Sequence, residues 1–238
     1  MLSLASPLTI DRVGEYVADG VATQPDRTVT NLIVIHHAAA SYGPGKAVNA
    51  IWQYHAARWP DYGRIGYHEV IQIEHDGVTL RAHQVNAPDM VGAGVYGRNH
   101  ECYHICAATN FSGIPDDAWI EALAQRAADA QRRYPRAALV GHREITIPGH
   151  STSCPGTRWS AWRPTLVARV TELLTPPPAR FVVRGLPIYQ RQDMTGLLAG
   201  HLATGEEVHV DRRYPNGAGH LVDGRGFVIG ACILGNNQ

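Results

Sequence analysis

Three side chains in this sequence have the types and spacing of a metal site. His142 and Cys154 share the stretch VGHREITIPGHSTSCPG, Val140 to Gly156, and His36 ends the apolar run NLIVIHH with His37. Two imidazoles and a thiolate suit Zn2+, a borderline-soft ion that takes nitrogen and sulfur ligands in a tetrahedron. Three protein ligands rather than four leave a position for water, the pattern of a catalytic site. Pro148, Gly149, Pro155 and Gly156 bend the loop and limit its wandering. Other readings of these residue types stay open. A histidine at a strand end is commonly a polar cap, and a lone cysteine is commonly a small buried apolar group. His150 lies in the same loop and is an alternative to Cys154. Cys102, His104 and Cys106 share one strand face, but same-face neighbours sit roughly 7 Å apart and chelate a single ion poorly.

These residues need elements to bring them together. NLIVIHH reads as a buried strand that delivers His36 at its C-terminal edge, with His37 turned to the opposite face. KAVNAIWQYHAARW carries Val48, Ile51, Trp52 and His55 at helical spacing. GYHEVIQIEHDG alternates as a strand and stops at Asp76-Gly77, and ECYHICAAT is another buried strand. Asp116 and Asp117 open a helix whose Ile120, Leu123, Ala127 and Ala130 form one face, with Pro135 beyond its end. AALVGH is a short strand leading to His142, and a last helix is expected to start near Pro164. Strands interspersed with helices predict an α/β fold, a central mixed β-sheet flanked by helices.

The tract TPPPAR, Thr175 to Arg180, cannot continue a helix and reads as a stiff linker. The expected organisation is a catalytic domain over 1–175, a proline-rich linker over 176–180 and a small all-β domain over 181–238. The last part has short strands separated by glycine-rich turns, the pattern of a small barrel.

Composition excludes several function classes. Lys+Arg and Asp+Glu both number 21, so no net field draws the chain to nucleic acid or to an anionic membrane. No apolar run approaches the roughly 18 residues that span a bilayer, so membrane insertion is not expected. The four cysteines are too sparse for a disulfide scaffold. The first twenty residues lack a basic region followed by an apolar one, so the expectation is synthesis in the cytoplasm without a signal peptide.

The motifs IVIHHAA, GYHEVIQIEHDG and VGHRE…STSCPG, in this order, resemble the zinc-dependent N-acetylmuramoyl-L-alanine amidases of the amidase-2 type. That group includes phage amidase-type lysozymes and the peptidoglycan recognition proteins. The resemblance runs from about Thr30 to Trp162. It implies hydrolysis of the amide between N-acetylmuramic acid and L-alanine of the stem peptide, with one Zn2+ held by His36, His142 and Cys154. It implies that Tyr67 of GYH acts beside the metal's water, and that Thr152 stands close to the zinc. Tyr67 and His68 lie on opposite strand faces by alternation, so only one faces the metal, and Tyr67 is the choice. His37 and His68 are taken as supporting residues behind the ligands or as structural ones.

The chain departs from the pattern at two places. Many relatives have a histidine where this chain has Gly94, and some branches use a glutamate base on the strand matched by YHICAAT, where Cys106 and its neighbours offer no carboxylate. Phage amidase-type lysozymes that rely on the tyrosine also lack that glutamate, which favours a Tyr67 mechanism. The C-terminal piece resembles bacterial SH3-like domains through GLPIYQ, LATGEEVHV and GRGFVIGACI, and such modules in wall hydrolases commonly bind peptidoglycan. Together these resemblances imply a phage- or prophage-type endolysin that acts on the bacterial wall after release from the cytoplasm. A non-catalytic peptidoglycan-binding protein and an amidase toxin against rival bacteria are the alternatives.

Overall fold

Alternation along the buried strands decides the architecture. The computed structural model describes residues 2–175 and, beyond them, the strand segments 179–182, 187–189, 198–201, 207–213, 218–221 and 227–229. The chain divides into two units, Met1–Leu174 and Thr175–Gln238.

In the first unit the elements are β1 (Ser3–Asp11), β2 (Leu32–His37), α1 (Ala47–Arg58), β3 (Glu69–Ile73), β4 (Thr79–Gln84), β5 (Cys102–Ala107), α2 (Asp117–Arg133), β6 (Ala138–Gly141) and α3 (Trp159–Leu174). The six strands form one sheet in the order β1-β4-β3-β5-β2-β6. Only β3 and β4 pair antiparallel, across the Asp76-Gly77 turn; the other pairings are parallel. The expected mixed sheet with helices packed on it is therefore present.

Odd and even strand residues face different layers. Ile33 and Ile35 of β2, Ile71 of β3, Leu80 and Ala82 of β4, and Tyr103, Ile105 and Ala107 of β5 pack in one cluster with α2 and α3. The buried side of α2 combines Trp119, Ile120 and Leu123 with Ala122, Ala124, Ala127 and Ala128, small side chains that let the helix approach closely. Asp116 caps this helix, its carboxylate accepting from the Trp119 N–H at 3.0 Å. Val70 of β3 faces the other way, into a smaller cluster with Ala47, Val48 and Ile51 of α1. His36, His104 and Cys106 alternate with the α2/α3-facing residues and so lie on this second face.

Two features differ from the sequence expectation. α3 begins at Trp159 rather than near Pro164, which lies inside the helix. Trp159 and Trp162 are both buried in the α2/α3 cluster, in edge-to-face contact at 4.5 Å, and their burial outweighs the one hydrogen bond that Pro164 cannot make. β1 and β4 have no counterpart in the sequence reading. β1 is an edge strand whose register against β4 shifts between Leu4 and Thr9, and Pro7 falls in that shift, where a proline is tolerated.

The second unit contains β7 (Ala179–Val182), β8 (Pro187–Tyr189), β9 (Leu198–His201), β10 (Glu207–Arg213), β11 (Ala218–Leu221) and β12 (Phe227–Ile229). They form a sheet in the order β7-β10-β11-β12-β8-β9, with every pairing antiparallel. Residues 176–178 of the expected linker, the turn LATG of the expected SH3-like pattern, and Cys232 lie outside the described residues. Among the described residues no helix is long and apolar enough to cross a membrane.

Candidate metal centre and its cleft

Two neighbouring parallel strand ends and one loop meet at the site. β2 ends in His36 and His37, and β6, paired parallel beside it, runs into a short 3-10 turn, His142–Glu144. Glu144 turns back and accepts from the Gly141 N–H at 2.7 Å, which fixes this turn. The loop carrying Cys154 is tied to the same turn: the Arg143 N–H donates to the Cys154 carbonyl at 2.7 Å, and the Arg143 guanidinium donates to the Gly156 and Thr157 carbonyls at 3.2 and 3.3 Å. Gly156 has φ +126°, and a Cβ there would meet the Phe111 carbonyl at 2.5 Å, so only glycine carries the chain out of the loop.

The candidate ligands converge. One ligand atom each from His36, His142 and Cys154 lies within 4.8 Å of the others, and this is the one such group of His, Cys, Asp or Glu side chains found among the described residues. Nδ1 of His36 is 3.7 Å from Sγ of Cys154. Two corners of a tetrahedron with Zn–S and Zn–N legs are about 3.6 Å apart, so the spacing fits zinc. The ring centroids of His36 and His142 are 4.8 Å apart.

Burial sets the electrostatics of the site and favours the neutral form of each group. Burial pushes the His36 imidazole well below its ordinary value, with the neighbouring His142 adding to the shift, and burial also lowers His142. Burial pushes the Cys154 thiol up to about 12, opposed by the His37 backbone N–H, which donates to Sγ at 3.4 Å. Among the described residues the candidate ligand group includes no carboxylate, so the thiolate itself would supply negative charge on binding.

The group lies at the foot of a cleft of about 760 Å³. It is lined by the end of α1 and the segment after it, Arg58 to Tyr62, including Trp59, and by Ala93, Gly94, Tyr96 and Asn99, with Thr152 and Ser153 beside the cysteine. Tyr67 also lines it, its ring 4.9 Å from that of His36. The Tyr67 hydroxyl meets the Cys106 thiol, and burial raises it well above the ordinary phenol value, so it keeps its proton.

The N-acetylmuramoyl-L-alanine amidase family model (Amidase_2) matches residues 25–157, more than half of the chain. The chain belongs to this amidase family. Among solved structures, the Ph2119 endolysin from the Thermus scotoductus MAT2119 bacteriophage Ph2119 is similar at 26% identity and TM-score 0.52, over 68% of this chain and 98% of that one. A complex of tracheal cytotoxin with the ectodomains of peptidoglycan recognition proteins LCa and LCx matches at 22% identity and TM-score 0.52, over 66% and 95% of the two chains. An N-acetylmuramoyl-L-alanine amidase from Clostridium intestinale URNW matches at 19% identity and TM-score 0.51, over 68% and 97%. No curated protein matches the chain by sequence.

Within this amidase-family domain the remaining sequence-predicted residues take distinct places. Thr152 Oγ1 accepts from the Cys154 N–H at 3.1 Å, and a hydroxyl that accepts still carries one donor. The His37 imidazole points away from the ligands, its Nδ1 accepting from the Phe111 N–H at 3.1 Å; what reaches Cys154 is the His37 main chain. His68 and Tyr67 precede β3 rather than belonging to it. His68 is fully buried, and its Nε2 lies 2.8 Å from the Met90 carbonyl, while its Nδ1 accepts from the His104 N–H at 2.9 Å. Burial beside Arg27 lowers its pKa to about 3. His150 is exposed and stacks on Tyr96 at 4.1 Å, outside the ligand group.

Two positioning residues escape the sequence reading. Asn86, buried, donates to the carbonyls of Ile65 and Tyr67 at 2.6 Å each and holds the turn that presents Tyr67. His55 accepts from the Gly66 N–H at 2.9 Å and packs against Tyr67. His55 stands on the inner face of α1 by helical spacing, a legible signal for burial but not for its partner. Asn86 follows β4 in a loop, and nothing in its sequence neighbours marks it.

Proposed function

We propose that this chain is a zinc-dependent peptidoglycan amidase. It cleaves the amide between N-acetylmuramic acid and the L-alanine of the stem peptide. The observation that carries the reading is the convergence of His36, His142 and Cys154 at the foot of an open cleft, within a domain of the amidase family. Peptidoglycan as partner is supported by that membership and by the 26% identical phage endolysin, which also favours a lysin role.

His36, His142 and Cys154 would hold the zinc, which would supply Lewis acidity and make hydroxide available near neutral pH. The protein's own groups do the rest. The cleft walls hold the sugar-peptide junction over the ligands. Tyr67, its turn fixed by Asn86, donates a hydrogen bond to the oxyanion that develops as the amide is attacked. Thr152, whose hydroxyl lies beside the cysteine and lines the cleft, adds a second donor. Trp59 and the segment behind it narrow the cleft and limit water around the reacting carbonyl. The second unit, antiparallel throughout its described strands, serves as an SH3-like wall-binding module that raises the local concentration of the catalyst on its polymer.

The test is release of new L-alanine amino termini from purified peptidoglycan, with and without a chelator. Release that stops with the chelator and returns with zinc is expected. No release under zinc-replete conditions would make the chain a binding protein instead.

A further inference from the structure

His104 has no part in the reading above, yet it is fully buried against a proposed ligand. Its Nδ1 lies 3.1 Å from Nε2 of His36, while Nδ1 of His36 faces Cys154 Sγ at 3.7 Å. An imidazole that ligates through Nδ1 carries its proton on Nε2, and a buried Nε2–H needs an acceptor. We infer that His104 is a positioning residue: its bare Nδ1 accepts the Nε2 proton of His36 and so keeps Nδ1 of His36 unprotonated and turned toward the metal. The inference rests on the reading that His36, His142 and Cys154 hold zinc.

The surroundings of His104 are built for this contact. Its backbone is tied twice to His68: its N–H donates to Nδ1 of His68 at 2.9 Å, and its carbonyl accepts from the His68 N–H at 3.0 Å. Space for the ring comes from two glycines. A Cβ at Gly94 would lie 2.8 Å from His104 Nδ1, and one at Gly92 would lie 2.7 Å from Cδ2. Many relatives have a histidine where this chain has Gly94; in this structure the His104 ring fills the space beside that glycine. The far edge of the ring, Nε2, is buried without a hydrogen-bond partner among the described residues. A buried imidazole with one unpaired edge is a poor choice for packing alone, because an apolar ring of similar size carries no such penalty. The paired edge, on His36, is what explains it. Histidine ligands commonly donate to a carboxylate or a carbonyl. An imidazole acceptor brings no negative charge, so its contribution is orientation and tautomer rather than ligand basicity.

The experiment measures zinc affinity of the full chain by chelator competition, for the wild type and for His104→Phe, His104→Gln and Gly94→Ala. His104→Phe is expected to bind zinc roughly 10- to 100-fold more weakly. His104→Gln, whose amide oxygen can accept the same proton, should recover most of that loss, and Gly94→Ala should weaken binding by crowding the ring. Nitrogen-15 spectra of the metal-free wild type should show His36 protonated at Nε2, a readout that needs no variant to fold. Wild-type affinity in His104→Phe, equal losses in the Phe and Gln variants, or His36 protonated at Nδ1 would each overturn the assignment. A wild type that binds no zinc would instead bring down the metal reading itself, and this inference with it.

Discussion

The two faces of the central sheet are made from alternate residues of the same strands, and they solve the problem of buried polarity in opposite ways. On the face under α2 and α3, the charged group is Glu69, and every need it has is met inside the fold. Arg126 donates to its two oxygens at 2.5 and 3.1 Å, and the Tyr103 hydroxyl donates at 2.5 Å. On the cleft face, His36, His104 and Cys106 replace the isoleucines, and Cys154 closes on them from its loop. Away from the Glu74–His83 pair that lies on the same face, the His36, His104 and Cys106 side chains meet one another, and burial lowers both imidazoles well below their ordinary value. A charge neutralised within the fold contributes to stability; a cluster of neutral nitrogen and sulfur donors is what a cation would complete. The difference of one residue in register separates the two roles.

That contrast can be broken by mutation, and the largest effect belongs to the helix face. Glu69→Ala removes the bidentate partner of half-buried Arg126 and leaves it only Asp129, which should cost about 3 kcal/mol of stability, while the surviving folded protein keeps its zinc. Urea unfolding read by tryptophan fluorescence measures it, because all five tryptophans (Trp52, Trp59, Trp119, Trp159 and Trp162) lie in the first unit. A loss of zinc at unchanged stability would erase the distinction between the faces.

On the cleft face, Tyr67→Phe removes one donor and no ligand. Turnover should fall by about 100-fold, near 2.7 kcal/mol, with zinc content and unfolding midpoint kept. Wild-type turnover in this variant would remove Tyr67 from the chemistry.

The smallest effect sharpens the contrast through pH. His55 supports the cleft face, and burial lowers its pKa from 6.5 to about 4. The unfolded chain takes up a proton near pH 6.5 and the folded one does not, so this stability is whole above pH 6.5 and is lost as pH falls toward 4. Between pH 7 and pH 5 it amounts to about 2 kcal/mol. Urea titrations with chelator present throughout should show this slope in the wild type and a shallower one in His55→Gln. Equal slopes would show that His55 does not titrate in this way.

Much of the architecture was legible because buried parallel strands and an alanine-faced helix leave strong periodic signals. NLIVIHH and ECYHICAAT read as strands, and they pair side by side in parallel. β1 was not legible, since an edge strand with Pro7 in a register shift lacks continuous alternation. The start of α3 was missed for a different reason: proline rules are local, and the burial of two indoles is not. At the site, ordered motifs singled out His36, His142 and Cys154, which the fold brings together. His104 was visible only as a member of a period-two face, because its partner depends on which strand pairs with β5 and on the room left at Gly92 and Gly94. The imidazole of His37 was weighed for support of the ligands, but the main chain of that residue is what touches Cys154. Sequence patterns carry side-chain identity and say little about which backbone groups reach a neighbour.

The zinc reading requires one divalent ion held by two imidazoles and one sulfur. Metal analysis of the full chain, wild type beside Cys154→Ser and both prepared in zinc-containing buffer, tests it most directly. About one zinc per wild-type chain and almost none in the variant is expected, because a hydroxyl is a poor substitute for thiolate. A full equivalent retained by Cys154→Ser, or none bound by the wild type, would contradict it.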